Sequence, residues 1–329
     1  MNREAKKIIK EKDSVIKNKF LQKQAIISRA VSSDILISVP PFPKNIMIEL
    51  TNQCNHRCSF CYNRLSTRKK RNISAKFLVS ILKEAYKLGT REVGLYSTGE
   101  PLLFKNIEQY IKLAKKIGYE YIYITTNGVL ASCDKVKNLI SAGLSSIKFS
   151  INAATRETYK LIHGKDDFNR VVENLKQIKS FRDENNIKFN IGISYVLTDL
   201  NCHEKEYAEN TIGKMADDTV FVIAGNQGGY MNNEGISYTG RNTPCSMLFN
   251  RFHVSCEGYF TLCCVDYQNY LAVSDLNQTS LKDAWASKIA VDMRNKHLSS
   301  NIKGTLCYNC IIGKNSAVKP LVSEYATLV

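Results

Sequence analysis

The sequence predicts an α/β protein: a partial (βα)6 TIM-like barrel with an N-terminal helical extension and a small C-terminal cysteine-rich module. From residue 45 onward, short β-type runs alternate with helical runs, and such alternation is typical of parallel βα units. Six units of roughly 30 residues each fall short of the eight that close a full barrel. An open doubly wound sheet is the alternative. We favour the partial barrel because a cysteine-bearing loop follows the first strand.

Residues 1–44 are predicted to form a basic helical extension. Between Arg3 and Val31, apolar residues recur at helical spacing and Lys occupies many of the other positions, until the segment VPPFPK breaks the pattern. We interpret this segment as an amphipathic helix packed on the body of the protein. Docking of this helix to a membrane or to a partner is the alternative.

The barrel itself is expected over residues 45–224. Ser74–Leu88 and Phe168–Phe181 carry apolar residues on one helical face. The six strands are expected at 45–51, 91–97, 121–126, 145–151, 188–197 and 218–224.

Three further segments follow the barrel. Residues 225–244 are rich in Gly and Asn and are predicted to be a linker or a substrate-facing loop. The cysteine-rich module is expected over residues 245–313, and residues 314–329 form a short tail.

The composition is that of a folded protein with a large positive charge. Hydrophobic residues make up 44% and charged residues 23% of the chain, which excludes a disordered, collagenous or coiled-coil protein. The 46 Lys+Arg against 30 Asp+Glu give a net charge of +16 and favour acidic partners, although we predict no specific nucleic-acid binding. No apolar run reaches the roughly 18 residues of a transmembrane segment, and the first residues are not a signal peptide, so we expect a cytoplasmic protein.

The first cysteine group, Cys54, Cys58 and Cys61, directly follows the first predicted strand. Thiolates suit iron–sulfur clusters and zinc. A structural zinc site is normally closed by four ligands, whereas a cubane held by three cysteines leaves one iron open to bind a small molecule. Zinc with His56 or a distant residue as fourth ligand is the alternative, although His56 is poorly placed between the first two cysteines.

This CxxxCxxC motif, with Phe60 before its third cysteine, closely resembles that of the radical S-adenosylmethionine (radical SAM) family. The segment Thr98-Gly99-Glu100-Pro101 resembles the family's GGEP motif, with Thr98 in place of the first glycine. The segment Phe149–Asn152 resembles a strand whose polar residues approach SAM. Together these similarities cover about residues 45–224.

The resemblance implies a [4Fe–4S] cluster on the three cysteines and SAM as cofactor, with Glu100 on the amino group of SAM. It also implies that Ser150 and Asn152 approach the ribose and carboxylate, where Asn152 replaces a common Asp. We expect Thr126 and Asn127 to line the same site. The implied chemistry is reductive cleavage of SAM to a 5′-deoxyadenosyl radical that abstracts a hydrogen atom, with flavodoxin or ferredoxin as electron donor.

The second cysteine group resembles the twitch module, a single-cluster short form of the SPASM domain. Glu257-Gly258 is a predicted hairpin turn before TLCC. The resemblance implies one auxiliary [4Fe–4S] cluster on four cysteines, and a zinc ribbon with four cysteine ligands is the alternative. Cys264 could replace Cys263 as ligand. The implied ligands are Cys245, Cys263, Cys307 and Cys310.

Two cysteines of this group, Cys256 and Cys264, are candidate hydrogen-atom donors to a substrate radical. Buried thiols without a function are the alternative for both. Cys133 and Cys202 are isolated in the sequence and are assigned no role.

The resulting hypothesis is oxidation or epimerisation of a hydroxyl-rich, anionic small substrate: a sugar, nucleotide-sugar or aminocyclitol. Arg64–Arg71 contains five basic residues and no acidic one, and we expect it near the barrel mouth, either as a solvated loop or as a segment that attracts an anionic substrate. A maturase that crosslinks or epimerises a ribosomal peptide is the alternative, and a non-enzymatic iron–sulfur electron carrier is a third hypothesis.

Overall fold

The computed structural model describes residues 33–233, 235–240 and 243–327. The helix expected between Arg3 and Val31 lies outside these ranges. The first six strands pair in parallel in chain order, and each lies within its predicted segment. They are β1 (Asn45–Ile48), β2 (Glu92–Gly94), β3 (Tyr121–Thr126), β4 (Ser146–Ser150), β5 (Asn190–Leu197) and β6 (Asp218–Ile223).

Helices connect these strands and pack on one face of the sheet. The helix expected at Ser74–Leu88 buries Leu78, Ile81, Leu82 and Ala85, the i, i+3, i+4, i+7 pattern of an amphipathic helix. The expected second helix is longer than its apolar pattern suggested. The helices are α1 (Ala75–Lys87), α2 (Ile107–Ile117), α3 (Cys133–Ala142), α4 (Arg156–His163), α5 (Phe168–Glu184) and α6 (Lys205–Asn210).

The two faces of the sheet differ in chemistry. Ile122 and Ile124 of β3 are buried in the main hydrophobic core with the helices, whereas Tyr123 on the other face donates a hydrogen bond to Asn45 Oδ1 at 3.0 Å. This second face lines the barrel interior, or lumen. The lumen holds a cavity of about 390 Å³ whose walls include Tyr96, Lys148, Arg251 and other polar residues.

The C-terminal module extends the barrel sheet past β1. Strand β7 pairs in parallel with β1, and the antiparallel pairs β7–β8 and β8–β9 continue from it. Gly258 adopts φ +99° in the β7–β8 turn, where the sequence predicted a hairpin. The elements are α7 (Met247–Asn250), β7 (Arg251–Val254), β8 (Tyr259–Thr261), β9 (Ala272–Asp275), α8 (Leu281–Trp285), α9 (Lys288–Leu298) and α10 (Leu306–Ile312).

The predicted fold class, parallel βα units followed by a cysteine-rich module, is confirmed. Within the described ranges, no helix has the length and apolar character needed to cross a bilayer.

Candidate active site and auxiliary cysteine site

The loop with the first three cysteines packs tightly against the loop that follows β2. Asn63 Nδ2 donates to the carbonyls of Asn52 and Thr98 at 2.9 and 2.8 Å, and Glu100 N donates to Gln53 O at 2.8 Å. A Cβ on Gly99 would lie 2.2 Å from Thr51 O, so only glycine permits this approach. The two motifs found in the sequence therefore meet at one place.

The three thiols of this loop lie close enough to influence one another. Burial, followed by the charges of Cys61 and Cys54, raises the pKa of Cys58 well above its usual value. Burial also raises the pKa of Cys54 to about 11. Thiols in this environment are neutral without a positive charge, and a metal centre supplies that charge. The residues fit a thiolate-held iron–sulfur cluster.

Two hydrogen-bonding groups that the sequence did not reveal reach these cysteines. His163 Nδ1 lies 3.6 Å from Cys58 Sγ, and Tyr267 Oη lies 3.5 Å from Cys61 Sγ. The His56 ring is engaged by His163 at 3.2 Å and by Asp167 at 3.3 Å. Because His163 and Tyr267 come from α4 and the C-terminal module, no local motif marks them.

Glu100 is buried beside the cysteine loop and held by three donors. Its carboxylate accepts from Leu102 N at 3.1 Å, Thr126 Oγ1 at 2.7 Å and Asn127 N at 2.8 Å. Burial outweighs these bonds and raises the Glu100 pKa to about 6. Asn127 Nδ2 lies 4.0 Å from Cys54 Sγ. A carboxylate fixed next to the cysteine loop can bind an ammonium group.

The other residues predicted to contact SAM differ in how free their side chains are. Thr98 Oγ1 donates a short hydrogen bond to Glu49. Asn152 is buried, and its Oδ1 accepts from Val196 N at 2.6 Å, so its amide already ties β4 to β5. Ser150 ends β4 opposite Ser194 and is half-buried.

The basic run Arg64–Arg71 does not present all its charges at the mouth, contrary to expectation. Arg68 is 4% exposed and lies 2.5 Å from carboxylate oxygens of both Glu49 and Glu257. Lys70 Nζ donates to Asn52 O at 3.2 Å. Arg68 is thus used inside the protein, whereas Lys70 stays exposed and contacts the cysteine loop.

The second site is an apolar cavity in the C-terminal module. Four cysteines line it together with His297 and several aliphatic residues. They are Cys245, Cys263, Cys307 and Cys310, the set that the resemblance implied. Burial raises the pKa of Cys307 well above its usual value, so this thiol is hard to ionise without a metal. Four cysteines around one cavity fit a closed cluster with no open coordination position.

Cys264 and Cys256 are not among the residues that line this cavity. Cys264 lines a small cavity with Glu49, Thr98 and His253, a cavity that Cys263 also borders. Cys256 instead contacts Arg68, with Sγ 3.4 Å from Arg68 Nη2. Of the two candidate donors, Cys264 is therefore the one that lies beside the barrel interior.

Comparison with known proteins adds independent information. Residues 48–200 match the model of the radical SAM superfamily, and residues 236–311 match that of an iron–sulfur cluster-binding domain, SPASM. A protein of Saccharolobus solfataricus named probable GTP 3′,8-cyclase is 35% identical over 133 residues, which cover 40% of this chain and 42% of the relative. The match therefore spans less than half of that protein.

Two solved structures show the same fold. BtrN in complex with AdoMet and 2-DOIA superposes with a TM-score of 0.58 at 18% identity, over 86% of this chain and 96% of BtrN. Streptococcus suis SuiB bound to precursor peptide SuiA superposes with a TM-score of 0.64 at 16% identity, over 78% of this chain and 67% of SuiB.

Proposed function

We propose a reaction for this chain on the premise that it belongs to the radical SAM superfamily and carries an iron–sulfur SPASM domain. Its cofactors are SAM and [4Fe–4S] clusters. In our proposal it oxidises or epimerises a hydroxyl-rich small molecule such as a sugar, nucleotide-sugar or aminocyclitol. When bound, the cofactors supply a 5′-deoxyadenosyl radical that removes a hydrogen atom from carbon.

We assign the SAM-binding groups from their places in the two sequence motifs. Cys54, Cys58 and Cys61 would hold the cluster, and the Glu100 carboxylate would accept hydrogen bonds from the ammonium group of SAM. Flavodoxin or ferredoxin is the proposed reductant.

The observation that carries the substrate proposal is the polar wall of the barrel lumen, which runs from the mouth down to a cavity of about 390 Å³ at the N-terminal ends of the strands. Tyr96, Lys148 and Arg251 line it, and each precedes by two positions a residue at the mouth or in the small cavity with Cys264. Because residues i and i+2 of a strand share a face, the same wall includes Thr98, Ser150 and His253 nearer the mouth, and a substrate beside SAM would contact these groups. Hydroxyl, amide and charged groups bind hydroxyl-rich ligands.

His253 is our candidate for the proton acceptor. It is 2% exposed, it lines the small cavity with Thr98 and Cys264, and neither ring nitrogen has a hydrogen-bond partner among the residues that the structure describes. An unpaired buried imidazole is uncommon and calls for an explanation. In the proposed oxidation, a carbinol carbon would lose a hydrogen atom and His253 would take the hydroxyl proton. A cluster held by the four cysteines of the C-terminal module would supply the acceptor for the remaining electron.

Cys264 would act in the epimerisation, in which the substrate is neither oxidised nor reduced. Its thiol would give a hydrogen atom to the opposite face of the substrate radical. The resulting thiyl radical would return to a thiol with one electron from the auxiliary cluster and one proton.

The test uses the reconstituted protein with SAM, a reductant and a panel of sugars, nucleotide-sugars and aminocyclitols. We expect at least one compound to stimulate 5′-deoxyadenosine formation. For an oxidation, His253→Gln should lower product formation about 100-fold or more, the usual contribution of a general base, while Cys264→Ala should have little effect. For an epimerisation, Cys264→Ala should abolish the epimer, and the wild type should incorporate deuterium from D2O.

A peptide-modifying function is the second candidate, because SuiB was solved with a precursor peptide. Stimulation by a peptide, and by no compound of the panel, would contradict the small-molecule proposal. The relative named probable GTP 3′,8-cyclase supports a phosphate-bearing substrate. The exposed cations of the basic run that could attract a phosphate are Lys69, Lys70 and Arg71.

A further inference from the structure

One buried histidine lies in the auxiliary site without being part of the cysteine pattern. His297, near the C-terminal end of α9, is 0% exposed and lines the same cavity as Cys245, Cys263, Cys307 and Cys310. The other walls include Leu248, Leu271, Leu306 and Ile311. His297 is therefore surrounded by sulfur and aliphatic groups.

The hydrogen bonding of this ring identifies its tautomer. Cys245 N donates to His297 Nδ1 at 3.3 Å, so Nδ1 is the acceptor. An Nδ1 atom that accepts this hydrogen bond carries no proton itself. A neutral imidazole that accepts at Nδ1 carries its proton on Nε2.

The Nε2–H group is left without an acceptor. It is buried and has no hydrogen-bond partner among the described residues. An unsatisfied buried donor costs about 1–3 kcal/mol, and native structures rarely tolerate one unless an ion or water completes it. The aliphatic walls of the cavity offer no oxygen or nitrogen for this purpose.

We propose that His297 donates a hydrogen bond from Nε2–H to a sulfur atom of the auxiliary [4Fe–4S] cluster. The acceptor would be an inorganic sulfide or a cysteine sulfur, which share the same acceptor chemistry. Such a bond stabilises the reduced, more negative cluster and raises its reduction potential. His297 is thus a positioning residue that makes the cluster a better electron acceptor. The inference rests on the four-cysteine cluster and not on the identity of the substrate.

Two substitutions test the roles of the two ring nitrogens of His297 separately. His297→Asn keeps an acceptor for Cys245 N but removes the donor, whereas His297→Gln keeps a donor near the Nε2 position and gives up the acceptor. His203, an exposed histidine, supplies the matched control His203→Asn.

The experiment is a potentiometric titration, followed by electron paramagnetic resonance, of the full chain carrying Cys54→Ala, Cys58→Ala and Cys61→Ala. Only the auxiliary cluster should remain in this background. With His297→Asn, we expect the reduced-to-oxidised ratio at a fixed potential to fall about tenfold, which equals about 59 mV for a one-electron couple. His297→Gln and His203→Asn should leave the potential close to that of the parent.

An unchanged potential in His297→Asn, with the cluster intact, would overturn the proposal. A potential that moves only in His297→Gln would also overturn it, because that result assigns the effect to the bond with Cys245 N. If His297→Asn fails to assemble a cluster, the parent labelled with 15N-histidine decides the question. A weak nitrogen coupling to the reduced cluster supports the hydrogen bond, and either a strong coupling typical of a ligand or no coupling contradicts it.

Discussion

Glu100→Gln is expected to weaken SAM binding about 10- to 150-fold, since a hydrogen bond to a charged group is worth about 1.5–3 kcal/mol. The amide removes the negative charge proposed to face the ammonium group of SAM. It also places an NH2 group against Asn127 N or Thr126 Oγ1, which donate to the carboxylate at 2.8 and 2.7 Å. Equilibrium dialysis with the reconstituted protein measures the affinity.

The same carboxylate predicts a pH dependence with a definite sign. Burial raises the pKa of Glu100 to about 6 in the free protein, and only the ionised form can pair with an ammonium group. SAM affinity should therefore be constant above this value and fall about tenfold per pH unit well below it. In Glu100→Gln this dependence should disappear.

Glu108→Gln is the matched control, because this carboxylate pairs with Lys135 at 2.5 Å on the helix layer. It should leave SAM affinity unchanged. An affinity in Glu100→Gln within twofold of wild type would remove Glu100 from the SAM site.

Arg68→Met is expected to lower the free energy of unfolding by about 3–5 kcal/mol, the usual cost of removing one partner from a buried ion pair. Burial alone would raise the pKa of Glu49, but the charge of Arg68 and several hydrogen bonds outweigh it, and the pKa is lowered. Without Arg68, Glu49 is a buried carboxylate that loses its ion-pair partner. Chemical denaturation of the protein measures the change.

Lys69→Met, at the exposed neighbouring position, should change stability by no more than about 0.5 kcal/mol. A loss below about 1 kcal/mol in Arg68→Met would mean that Glu49 becomes protonated or hydrated at little cost. The buried ion pairs would then not fasten the C-terminal module, which supplies Glu257, to the barrel.

The strands and the first site could be predicted because their signals are local. Each parallel strand is a short apolar or alternating run bounded by helical segments, and the CxxxCxxC loop directly follows β1. Gly99 lies so close to Thr51 O that a side chain would not fit, and this glycine belongs to the motif that the sequence already showed.

What could not be predicted depends on contacts between residues far apart in the chain. The sequence predicts Arg68 near the barrel mouth, since a run of basic residues carries no information about Glu257, which lies 189 positions later. The two strands β1 and β7, which pair with each other, are likewise far apart in the sequence, and no local pattern predicts their pairing. His253 and His297 are single histidines outside any sequence motif, and their buried nitrogens without a partner among the described residues mark them only in the folded chain.

The central claim is that the chain holds two independent iron–sulfur clusters. Iron content per chain, measured after anaerobic reconstitution in wild type and in the Cys54→Ala, Cys58→Ala, Cys61→Ala variant, tests it most directly. The account predicts about eight iron atoms in wild type and about four in the variant, as expected for two cubanes. About four atoms falling to none would contradict it: the C-terminal cysteines would then hold no cluster, and oxidation through an auxiliary cluster would be excluded.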